Sequence, residues 1–554
     1  MVHLIKKKIK GHVYCYLQHN IWVDGKPKRA WQIYLGPLER IQERGALSKP
    51  ETLEFETVEF GADIALYDIA QKIQLVEVID KCTTKKRHQG LTVGEYILLG
   101  VINRCINPCS KNKLGDWFKN SVLTKYFHIT PDKLNSQTYW NHFQYFNEQI
   151  IEKIESELNK IILTRYHLGL DCVLYDPTNF YTYIQERAEN ELPRKGHSKE
   201  KRFDLNQVNL SLFCLKEGGV PLMHESYPGN THDAKHFKKV IPKFIERMTE
   251  LGKTIGEITL IFDKGNHSQD VFQDIKEAHL QFIASLRPST QKELLEIPVE
   301  KFTPVTLQST GKEVRYYRVT KNIYGAPRTV YVVYDPRHFK RAKLAFETRL
   351  QKKIRAVHAF FQDRLNIKKW RDAEKVKHKI RAILGKKLYG SVVQVELKGD
   401  FGHLELSLKI NETEKQKRIA AMGKTILFTS CDGWDAELVI RTFREQYVIE
   451  DAFKHLKSPK MISIRPIYHY TDSSIRVHAF ICVLGLLLLS LLRMELAKQG
   501  VYMSYFKTLE VLKTIKITRI FAQNNTLKLE KLNKLTPDQK TLFKILHLKR
   551  YVDG

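Results

Sequence analysis

The sequence predicts an α/β protein built around a mixed β-sheet. Two short apolar runs, at 171–176 and 258–263, have the length and composition of buried strands, and each ends in an aspartate. Helix-periodic segments alternate with these and further strand-like runs, which is the pattern of a mixed sheet that carries helices. Apolar residues make up 43% of the chain and charged residues 27%, the balance of a folded protein with a sizeable core.

The charge of the chain is strongly positive. Lysine and arginine together number 91 against 61 acidic residues, which gives a formal net charge of +30. Such an excess favours a polyanionic partner, with nucleic acid ahead of a membrane surface. The alternative is a basic chain that has no special partner.

The N-terminal part of the chain contains two different patterns. Strand-like runs on either side of a turn at 24–27 predict a basic β-hairpin region over residues 1–55. Apolar residues then recur at helical spacing, so a helical domain is predicted over 56–165. Its basic loops favour DNA binding, and a scaffold for the rest of the chain is the alternative.

A divided sheet domain follows. Strand-like runs separated by helical segments predict the first part of this core at 166–290 and its second part at 426–500. Between them, at 291–425, alternating strands and a basic helical stretch predict an insertion. That basic stretch is either a solvated helical face or a surface that tracks phosphates. The remaining residues, 501–554, are expected to form a C-terminal helical region.

Three separated carboxylates are the candidate chemistry of this core. Asp176 and Asp263 are expected where a buried strand meets solvent, and Glu450 lies on a strongly helical segment. A carboxylate at a buried strand end is costly unless something binds there. Two such aspartates and a glutamate suit a pair of divalent metal ions that clamp a phosphodiester. In a chain this basic, we expect the phosphodiester to belong to DNA.

The helical segment that carries Glu450 is predicted to be continuous from Asp435 to Lys457, because it contains no glycine or proline. Counted along such a helix, Phe443, Gln446 and Lys457 share a face with Glu450. On that face Lys457 would contact a phosphate as a point charge beside the metal ligand. The alternative is that Glu450 forms an ordinary surface ion pair with Lys454, four residues on.

The surrounding motifs resemble those of the DDE transposases of bacterial and archaeal insertion sequences, specifically the branch with a Tyr-x2-Arg-x3-Glu-x6-Lys motif. In this sequence the Tyr and Arg positions hold Phe443 and Gln446, with Arg444 and Tyr447 adjacent. The matching stretches are Asp-x-Thr at 176–178, Gly-x-Ser-Lys-x2-Arg-x-Asp at 196–204, Gln207, Pro-Gly-Asn-Thr-x-Asp at 228–233, Phe-Asp-Lys-Gly-Asn at 262–266, Glu450 through Lys457, and Arg-Pro-x-x-His at 465–469.

The resemblance implies an RNase H-like catalytic core interrupted by a large insertion. Asp176, Asp263 and Glu450 would be its catalytic and metal-binding carboxylates, holding two Mg²⁺ ions for which Mn²⁺ can substitute. The partners it implies are the double-stranded inverted-repeat ends of an element and its target DNA, bound by a homodimer in the synaptic complex. The alternatives are a domesticated or inactive transposase-derived DNA-binding protein, or a structure-specific nuclease on the same core.

Further residues are candidates for DNA contact. Trp434 precedes the Glu450 helix and is either a core residue or a platform for a flipped base. Four cations follow the first acid and form a basic loop, namely Lys195, Lys199, Lys201 and Arg202. This loop either contacts the DNA backbone or is solvated. The full set of predicted DNA-binding residues is Lys457, Lys195, Lys199, Lys201, Arg202, Arg444, Lys454, Arg465 and Trp434.

Two features bear on the compartment. The cysteines are scattered without a Cys-x2-Cys pair, which fits a reducing environment. The apolar run at 479–492 is shorter than a bilayer span and has charged flanks, so a buried helix is predicted there. No secretory signal is expected, because basic residues follow the first five residues directly. We therefore expect a cytoplasmic, nucleoid-associated protein without a membrane partner.

Overall fold

The structure is a computed structural model that describes residues 2–23, 25–41, 53–84, 90–187, 189–385, 389–465, 467–522 and 527–552. The chain divides into two compact units. Unit 1 comprises Met1–Ile255 together with Tyr447–Gly554, and unit 2 comprises Gly256–Gln446.

The elements are numbered in chain order. The strands are β1 (Val2–Ile9), β2 (His12–Val23), β3 (Lys26–Pro37), β4 (Glu54–Glu59), β5 (Cys172–Thr182), β6 (Asn206–Leu215), β7 (Pro221–Pro228), β8 (Thr259–Phe262), β9 (Gln281–Ser285), β10 (Thr303–Leu307), β11 (Lys312–Ile323), β12 (Ala326–Tyr334), β13 (Val393–Lys398), β14 (Glu405–Ile410), β15 (Lys424–Thr429), β16 (Lys516–Phe521) and β17 (Leu527–Leu532). The helices are α1 (Leu38–Ile41), α2 (Gly61–Lys72), α3 (Leu75–Cys82), α4 (Val93–Ile106), α5 (Leu114–Lys119), α6 (Ser136–Phe143), α7 (Glu148–Tyr166), α8 (Asp233–Glu250), α9 (Gln269–Glu277), α10 (Lys292–Glu296), α11 (Pro336–Arg364), α12 (Ala373–Leu384), α13 (Glu412–Ala421), α14 (Ala436–Arg444), α15 (Tyr447–Lys457), α16 (Asp472–Lys498), α17 (Tyr505–Lys513) and α18 (Pro537–Ile545).

The described residues of unit 1 contain three groups of strands. Strands β1, β2 and β3 form an antiparallel sheet in chain order. Strands β5, β6 and β7 form an antiparallel meander, in which every residue of β6 is buried. Strand β4 pairs with β16, and β16 pairs with β17, so the N-terminal and C-terminal parts of the chain share one small sheet.

The core of unit 1 is organised around α16. The apolar run in this helix packs against α2, α4 and α7 and against strand β7. By length and composition it is the one helix in the described part of the chain that could cross a membrane, yet 94% of its most apolar window is buried inside the protein. The sequence prediction of a buried helix is therefore confirmed.

Unit 2 is built on a mixed sheet of strands in the order β10, β11, β12, β15, β9 and β8. Strands β8 and β9 are parallel, whereas the neighbouring pairs are antiparallel. Helices α11 and α12 pack with β13 and β14 around a separate apolar cluster that includes Phe346, Val357 and Val376. The prediction of an α/β protein with a large mixed sheet is confirmed, and this cluster lies within the predicted insertion.

Several sequence expectations need correction. Asp176 is not at a strand end, because β5 continues six residues beyond it to Thr182. The helix expected from Asp435 to Lys457 is two helices, α14 and α15, which are separated at Glu445 and Gln446. Strand β1 and the strands β16 and β17 were not predicted, so the C-terminal region is not purely helical. The predicted domain boundaries stay predictions.

The break between α14 and α15 has a tertiary cause. The amphipathic face of α14 packs against β9 and β10 within unit 2, whereas α15 packs against β5 and α16 within unit 1. The two helices therefore bury their apolar faces in different cores. The sequence gives no sign of the break between α14 and α15, because neither glycine nor proline occurs there.

Two glycines bring a basic loop close to the strands of the meander. Backbone hydrogen bonds join Arg194 to Gln207 in both directions, at 3.1 and 2.8 Å. A Cβ atom on Gly196 would overlap the backbone carbonyl of Gly229, and one on Gly229 would overlap that of Gln207. Both positions therefore require glycine, because the backbone segments at Gly196, Gly229 and Gln207 approach each other too closely for a Cβ atom. The loop that follows Gly196 lies against the meander.

We predict that Gly196→Ala lowers the free energy of unfolding by about 1–3 kcal/mol, because the backbone of Gly229 cannot yield as a flexible side chain would. Gly433→Ala is the matched control, since nothing lies within 4 Å of its added Cβ. Urea unfolding followed by circular dichroism measures both. Equal midpoints for the two variants would contradict the close approach.

Candidate active site

The first candidate acid lies in the middle of β5. The neighbouring Tyr175 is fully buried, with its ring centroid 4.7 Å from that of Phe213 and 4.4 Å from that of Phe237. Because successive side chains of a strand point to opposite faces, Asp176 faces away from this aromatic cluster. Asp176 is half-buried, and it therefore stands at the border between the core and solvent.

Helix α15 packs against β5 and carries the second acid of unit 1. Glu450 is exposed and forms no ion pair within the described residues. Lys454, its expected surface partner, instead lies with its Nζ atom 3.9 Å from an oxygen of Asp451. The ordinary surface pair between Glu450 and Lys454 is not formed, so this carboxylate is available to a ligand.

Lys457, at the end of α15, lies in a cluster of rings and charges. Its Nζ atom is 5.5 Å from the ring centroid of Phe180 on β5 and 3.6 Å from an oxygen of Glu200. Arg465 forms an ion pair with the same Glu200 carboxylate and lies over the ring of Tyr181 at 5.3 Å. A single carboxylate of the basic loop thus holds two cations that the sequence assigned to DNA.

The electrostatics of this cluster make the Lys457 ammonium unusually acidic. Burial and the nearby positive charge of Lys199 lower the pKa of Lys457 to about 8, while the negative charge of Asp176 opposes this shift. Phe180, whose ring lies under the Lys457 ammonium, belongs to the same strand as Asp176. The C-terminal end of α15 therefore brings the ammonium of Lys457 to β5, the strand that carries Asp176.

The basic loop is fixed to β5 by hydrogen bonds. The Asn179 side chain donates to the carbonyl oxygen of His197 at 2.6 Å and accepts from the backbone N–H of Lys199 at 3.1 Å. The Lys199 ammonium donates to the carbonyl oxygen of Pro177 at 2.5 Å and lies 3.9 Å from a carboxylate oxygen of Asp233. Lys199 is therefore held next to the residue that follows Asp176.

The other predicted cations of the loop have different surroundings. Arg202 donates two hydrogen bonds to the carboxylate of Asp204, at 2.9 and 2.8 Å, and this contact lowers the pKa of Asp204 to about 2. The Lys195 ammonium donates to the backbone carbonyl of Asp204. Lys201 is exposed on a left-handed turn at φ 64°. Of these three cations, Arg202 is therefore the one that the carboxylate of Asp204 holds in position.

Asp263, the candidate acid of unit 2, lies directly after β8, as the sequence predicted. The hydroxyl of Ser285, at the end of the parallel strand β9, donates to a carboxylate oxygen of Asp263 and accepts from the backbone N–H of Lys264 at 3.3 Å. Because parallel strands end at the same edge of a sheet, β9 supplies this fixed hydroxyl. Ser285 thereby orients the Asp263 carboxylate.

A histidine is enclosed by rings beside this acid. The centroid of the His267 ring lies 5.6 Å from that of Phe262, 5.3 Å from that of Phe272 and 5.5 Å from that of Phe428. Burial lowers the pKa of His267 to about 4, although the charge of Asp263 opposes the shift. His267 is therefore neutral at physiological pH and supports the loop that follows Asp263 by packing.

Two further residues that the sequence assigned to DNA contact, Arg444 and Trp434, lie in unit 2 and are partly engaged in contacts within the protein. Arg444 donates to a carboxylate oxygen of Asp335 at 2.9 Å, and the other oxygen of Asp335 caps the N-terminus of α11. Trp434 is half-buried in the turn that precedes α14. The Arg444 ion pair is a tertiary contact that ties α14 to α11.

The three acids have the donor chemistry that Mg²⁺ prefers, since each supplies carboxylate oxygens and each is at least partly accessible. Asp176 and Glu450 belong to unit 1, and Asp263 belongs to unit 2. In the part of the chain that the structure describes, no group of three or more His, Cys, Asp or Glu side chains stands together as a metal site. The fit to a metal therefore rests on the chemistry of the donors.

Some residues of the site escaped the sequence reasoning. Glu200 was not singled out, although it is a lone acid within the basic run Lys-Glu-Lys-Arg. Ser285 and Asn179 were missed because a serine or asparagine in a strand carries no signal of what it contacts. Of these three residues, only Glu200 could have been noticed in the sequence, because it is a negative charge inside a segment that was predicted to bind a polyanion.

Comparisons with known proteins give two findings. A protein-family model described as "Transposase DDE domain" matches residues 168–488. Among solved structures, the chain is similar to a piggyBac transposase synaptic complex with hairpin DNA, with 9% identity over 81% of this chain and 79% of that one. The TM-score of 0.39 is too low for this likeness to guide the fold or the partners. A search of curated proteins found no match.

We predict that Lys457 titrates near pH 8 and that Asp176→Asn lowers its pKa further, because the opposing negative charge is lost. Lysine side-chain NMR measures the titration, and Lys457→Arg identifies the signal. Since the folded pKa lies below the ordinary 10.5, the unfolded chain holds the proton more tightly, so this group stabilises the fold as pH rises from about 8 to 10.5. Asp204→Asn is the control substitution, and an unchanged titration in Asp176→Asn would contradict the coupling.

Proposed function

We propose that this chain, which belongs to the transposase DDE domain family, is a DNA transposase that cleaves the ends of a mobile element and joins them to target DNA. One observation carries the proposal beyond family membership. Helix α15 presents Glu450 without an ion-pair partner among the described residues and brings the cation of Lys457 to the strand of Asp176. A carboxylate ligand and a phosphate-binding cation on one helix are what phosphoryl transfer on a polyanion requires.

The catalytic residues in this proposal are Asp176, Asp263 and Glu450. An RNase H-like core is supported by the antiparallel meander β5–β7, which carries the first acid, followed along the chain by the parallel pair β8 and β9, which carries the second. The last acid follows on a helix after the insertion. This order of strands and acids is the one that the sequence motifs implied.

The three carboxylates would hold two Mg²⁺ ions, with Mn²⁺ as a substitute, and the metal would activate water and then a 3′-hydroxyl for in-line attack on a phosphodiester. Ser285 keeps the Asp263 carboxylate in one orientation through its hydrogen bond. Lys457 is mostly protonated at pH 7, because its pKa is about 8, and a bound phosphate would strengthen that charge. The protein therefore supplies fixed oxygens and a cation rather than a nucleophile of its own.

The finer identity is part of the proposal. The sequence motifs favour the transposases of prokaryotic insertion sequences, and the DNA partners in this proposal are the double-stranded inverted repeats of the chain's own element and a target duplex. In this proposal a homodimer brings the two element ends together in the synaptic complex. Cleavage and strand transfer take place in the cytoplasm, on the nucleoid. Lys195, Lys199, Lys201, Arg202, Lys454, Arg465 and Trp434 are the proposed DNA contacts, together with Lys457.

A second candidate is a transposase-derived DNA-binding protein that has lost activity. It is favoured by one observation, namely that Phe443 and Gln446 replace the expected tyrosine and arginine and lie before the start of α15. Arg444 does not compensate in a simple way, since it is paired with Asp335. Catalysis by the purified protein separates the two candidates.

We predict that the protein, given Mg²⁺ and DNA that carries the inverted repeats flanking its gene, produces joined DNA molecules. Each of Asp176→Asn, Asp263→Asn and Glu450→Gln should lower the rate roughly a hundredfold or more, because each removes a charged ligand while keeping the shape. Gel analysis of cut and joined products measures this. The matched control is Asp451→Asn, the acid next to Glu450 on the same helix.

The products decide among the candidates. Joined molecules support a transposase, cuts without joining support a nuclease, and binding without either supports the inactive candidate. Full activity of Asp263→Asn would remove that residue from the mechanism.

We also predict that Glu200→Gln tightens DNA binding, because the carboxylate no longer neutralises Lys457 and Arg465. Two released cations would steepen the dependence of log K on log salt by about one to two units. Fluorescence anisotropy over a salt series measures both. Glu189→Gln is the control, since that exposed acid pairs only loosely with Arg187 at 4.0 Å. Weaker binding by Glu200→Gln at an unchanged melting temperature would contradict the prediction.

A further inference from the structure

The N-terminal sheet ends in a two-stranded ribbon. Strand β1 pairs with β2 only as far as His19, which is opposite Val2. Beyond that point, β2 and β3 pair with each other alone, Asn20 opposite Arg29 and Val23 opposite Lys26. We call residues 20–23 and 25–29 the ribbon tip. Among the described residues no third strand pairs with the tip on the β1 side, so that edge of the ribbon is unpaired there.

The ribbon tip exposes three consecutive apolar side chains. The consecutive residues Ile21, Trp22 and Val23 are 44%, 74% and 38% exposed, whereas Leu17 and Ile33 in the body of the sheet are 0% and 4% exposed. Because successive side chains of a strand point to opposite faces, Trp22 projects from one face of the ribbon, and Ile21 and Val23 project from the other. Exposed apolar side chains rimmed by polar residues are typical of interaction sites. The tip therefore has the composition of a contact surface.

The charge around the patch points to a polyanion. The cations Lys26 and Lys28 are opposite Val23 and Ile21 in the ribbon, and Arg29 is opposite Asn20. Asp24 is the sole acidic residue in the sequence before Glu39. The cations of this segment are Lys6, Lys7, Lys8, Lys10, Lys26, Lys28 and Arg29. A nucleic acid and an anionic membrane surface both meet this charge.

The open face behind the tip favours nucleic acid over lipid. Tyr34 lies beside Tyr14 and Tyr16, with ring centroids 6.0 and 5.2 Å apart, and the ammonium of Lys7 lies 5.1 Å above the ring of Tyr16. Further along the same face, side-chain amides are linked in a ladder, in which Gln32 donates to Gln18 at 3.2 Å. Amides and phenols offer hydrogen bonds to base edges and phosphates, whereas a membrane-inserting hairpin would need apolar side chains there.

We propose that the ribbon tip is a DNA-contacting element that enters a groove of duplex DNA. A two-stranded antiparallel ribbon has the width of the major groove. Trp22 would pack against bases or sugars, and Lys26, Lys28 and Arg29 would contact the phosphates that border the groove. The inference rests on the proposed function only for the identity of the polyanion as DNA, because the tip contains none of the three acids.

The test uses the full-length protein and a fluorescein-labelled duplex of mixed sequence, followed by anisotropy. Trp22→Ala should weaken binding about tenfold, since it removes one aromatic contact. The double variant Lys26→Ala with Lys28→Ala should make the salt dependence shallower by about two units of slope. The matched controls are Tyr502→Ala, an aromatic that is 84% exposed elsewhere in unit 1, and Lys540→Ala on α18; both should bind as the wild type does.

Three outcomes would overturn the proposal. One is that the tip variants bind the duplex as tightly as the controls do. Another is that Trp22→Ala loses binding to phosphatidylserine vesicles but not to the duplex, which would assign the tip to membranes. The third is that the tip variants change only self-association in sedimentation, which would assign it to a second copy of the chain.

The failure of this inference is distinguishable from failure of the proposed function. The ribbon tip contains none of the three acids, so cleavage and joining test the proposed function and duplex binding by the tip variants tests this inference. If the wild type neither cuts nor joins DNA but binds the duplex through Trp22, the ribbon inference stands and the transposase proposal falls. If the wild type joins DNA and Trp22→Ala binds and joins equally well, the ribbon inference falls alone.

Discussion

The packing of α15 against β5 is the contact on which the candidate site depends. Strand β5 is held on one face by the aromatic cluster around Tyr175, and it also contacts α15 and the basic loop. Because the strand is fixed, the loop can fasten to it through Asn179, and Lys457 can be partly buried over Phe180. That burial is also what lowers the pKa of Lys457, so packing and charge in this site have one origin.

The residues that could be found from the sequence are those whose chemistry is local. Asp263 was placed correctly, because a short apolar run followed by an acid describes a buried strand and its end without reference to anything else. The buried α16 was also evident, since an apolar run of that length has few other uses in a chain so rich in charge. In both cases burial of apolar residues determines the structure, and the apolar residues of a segment can be recognised directly in its sequence.

The features that escaped were decided by tertiary contacts. The break between α14 and α15 arises because their apolar faces pack in different units, and no breaker residue marks it. Asp176 lies in the middle of β5 because pairing with β6 extends the strand past the acid to Thr182. The role of Glu200 depends on Lys457 and Arg465, which are more than 250 positions away in the chain. Single-sequence reasoning has no access to such pairs.

The position of α16 also dictates an order of assembly. This helix fills the core of unit 1 against α2 and α4, yet it is synthesised after the whole of unit 2. Until the ribosome has passed Lys498, the N-terminal helices therefore lack the element that buries their apolar faces. A nascent chain can complete unit 2 first, as a contiguous segment, while unit 1 waits for its second half. Interrupted synthesis would release N-terminal fragments with exposed apolar surface, which are substrates for chaperones and proteases rather than partial enzymes.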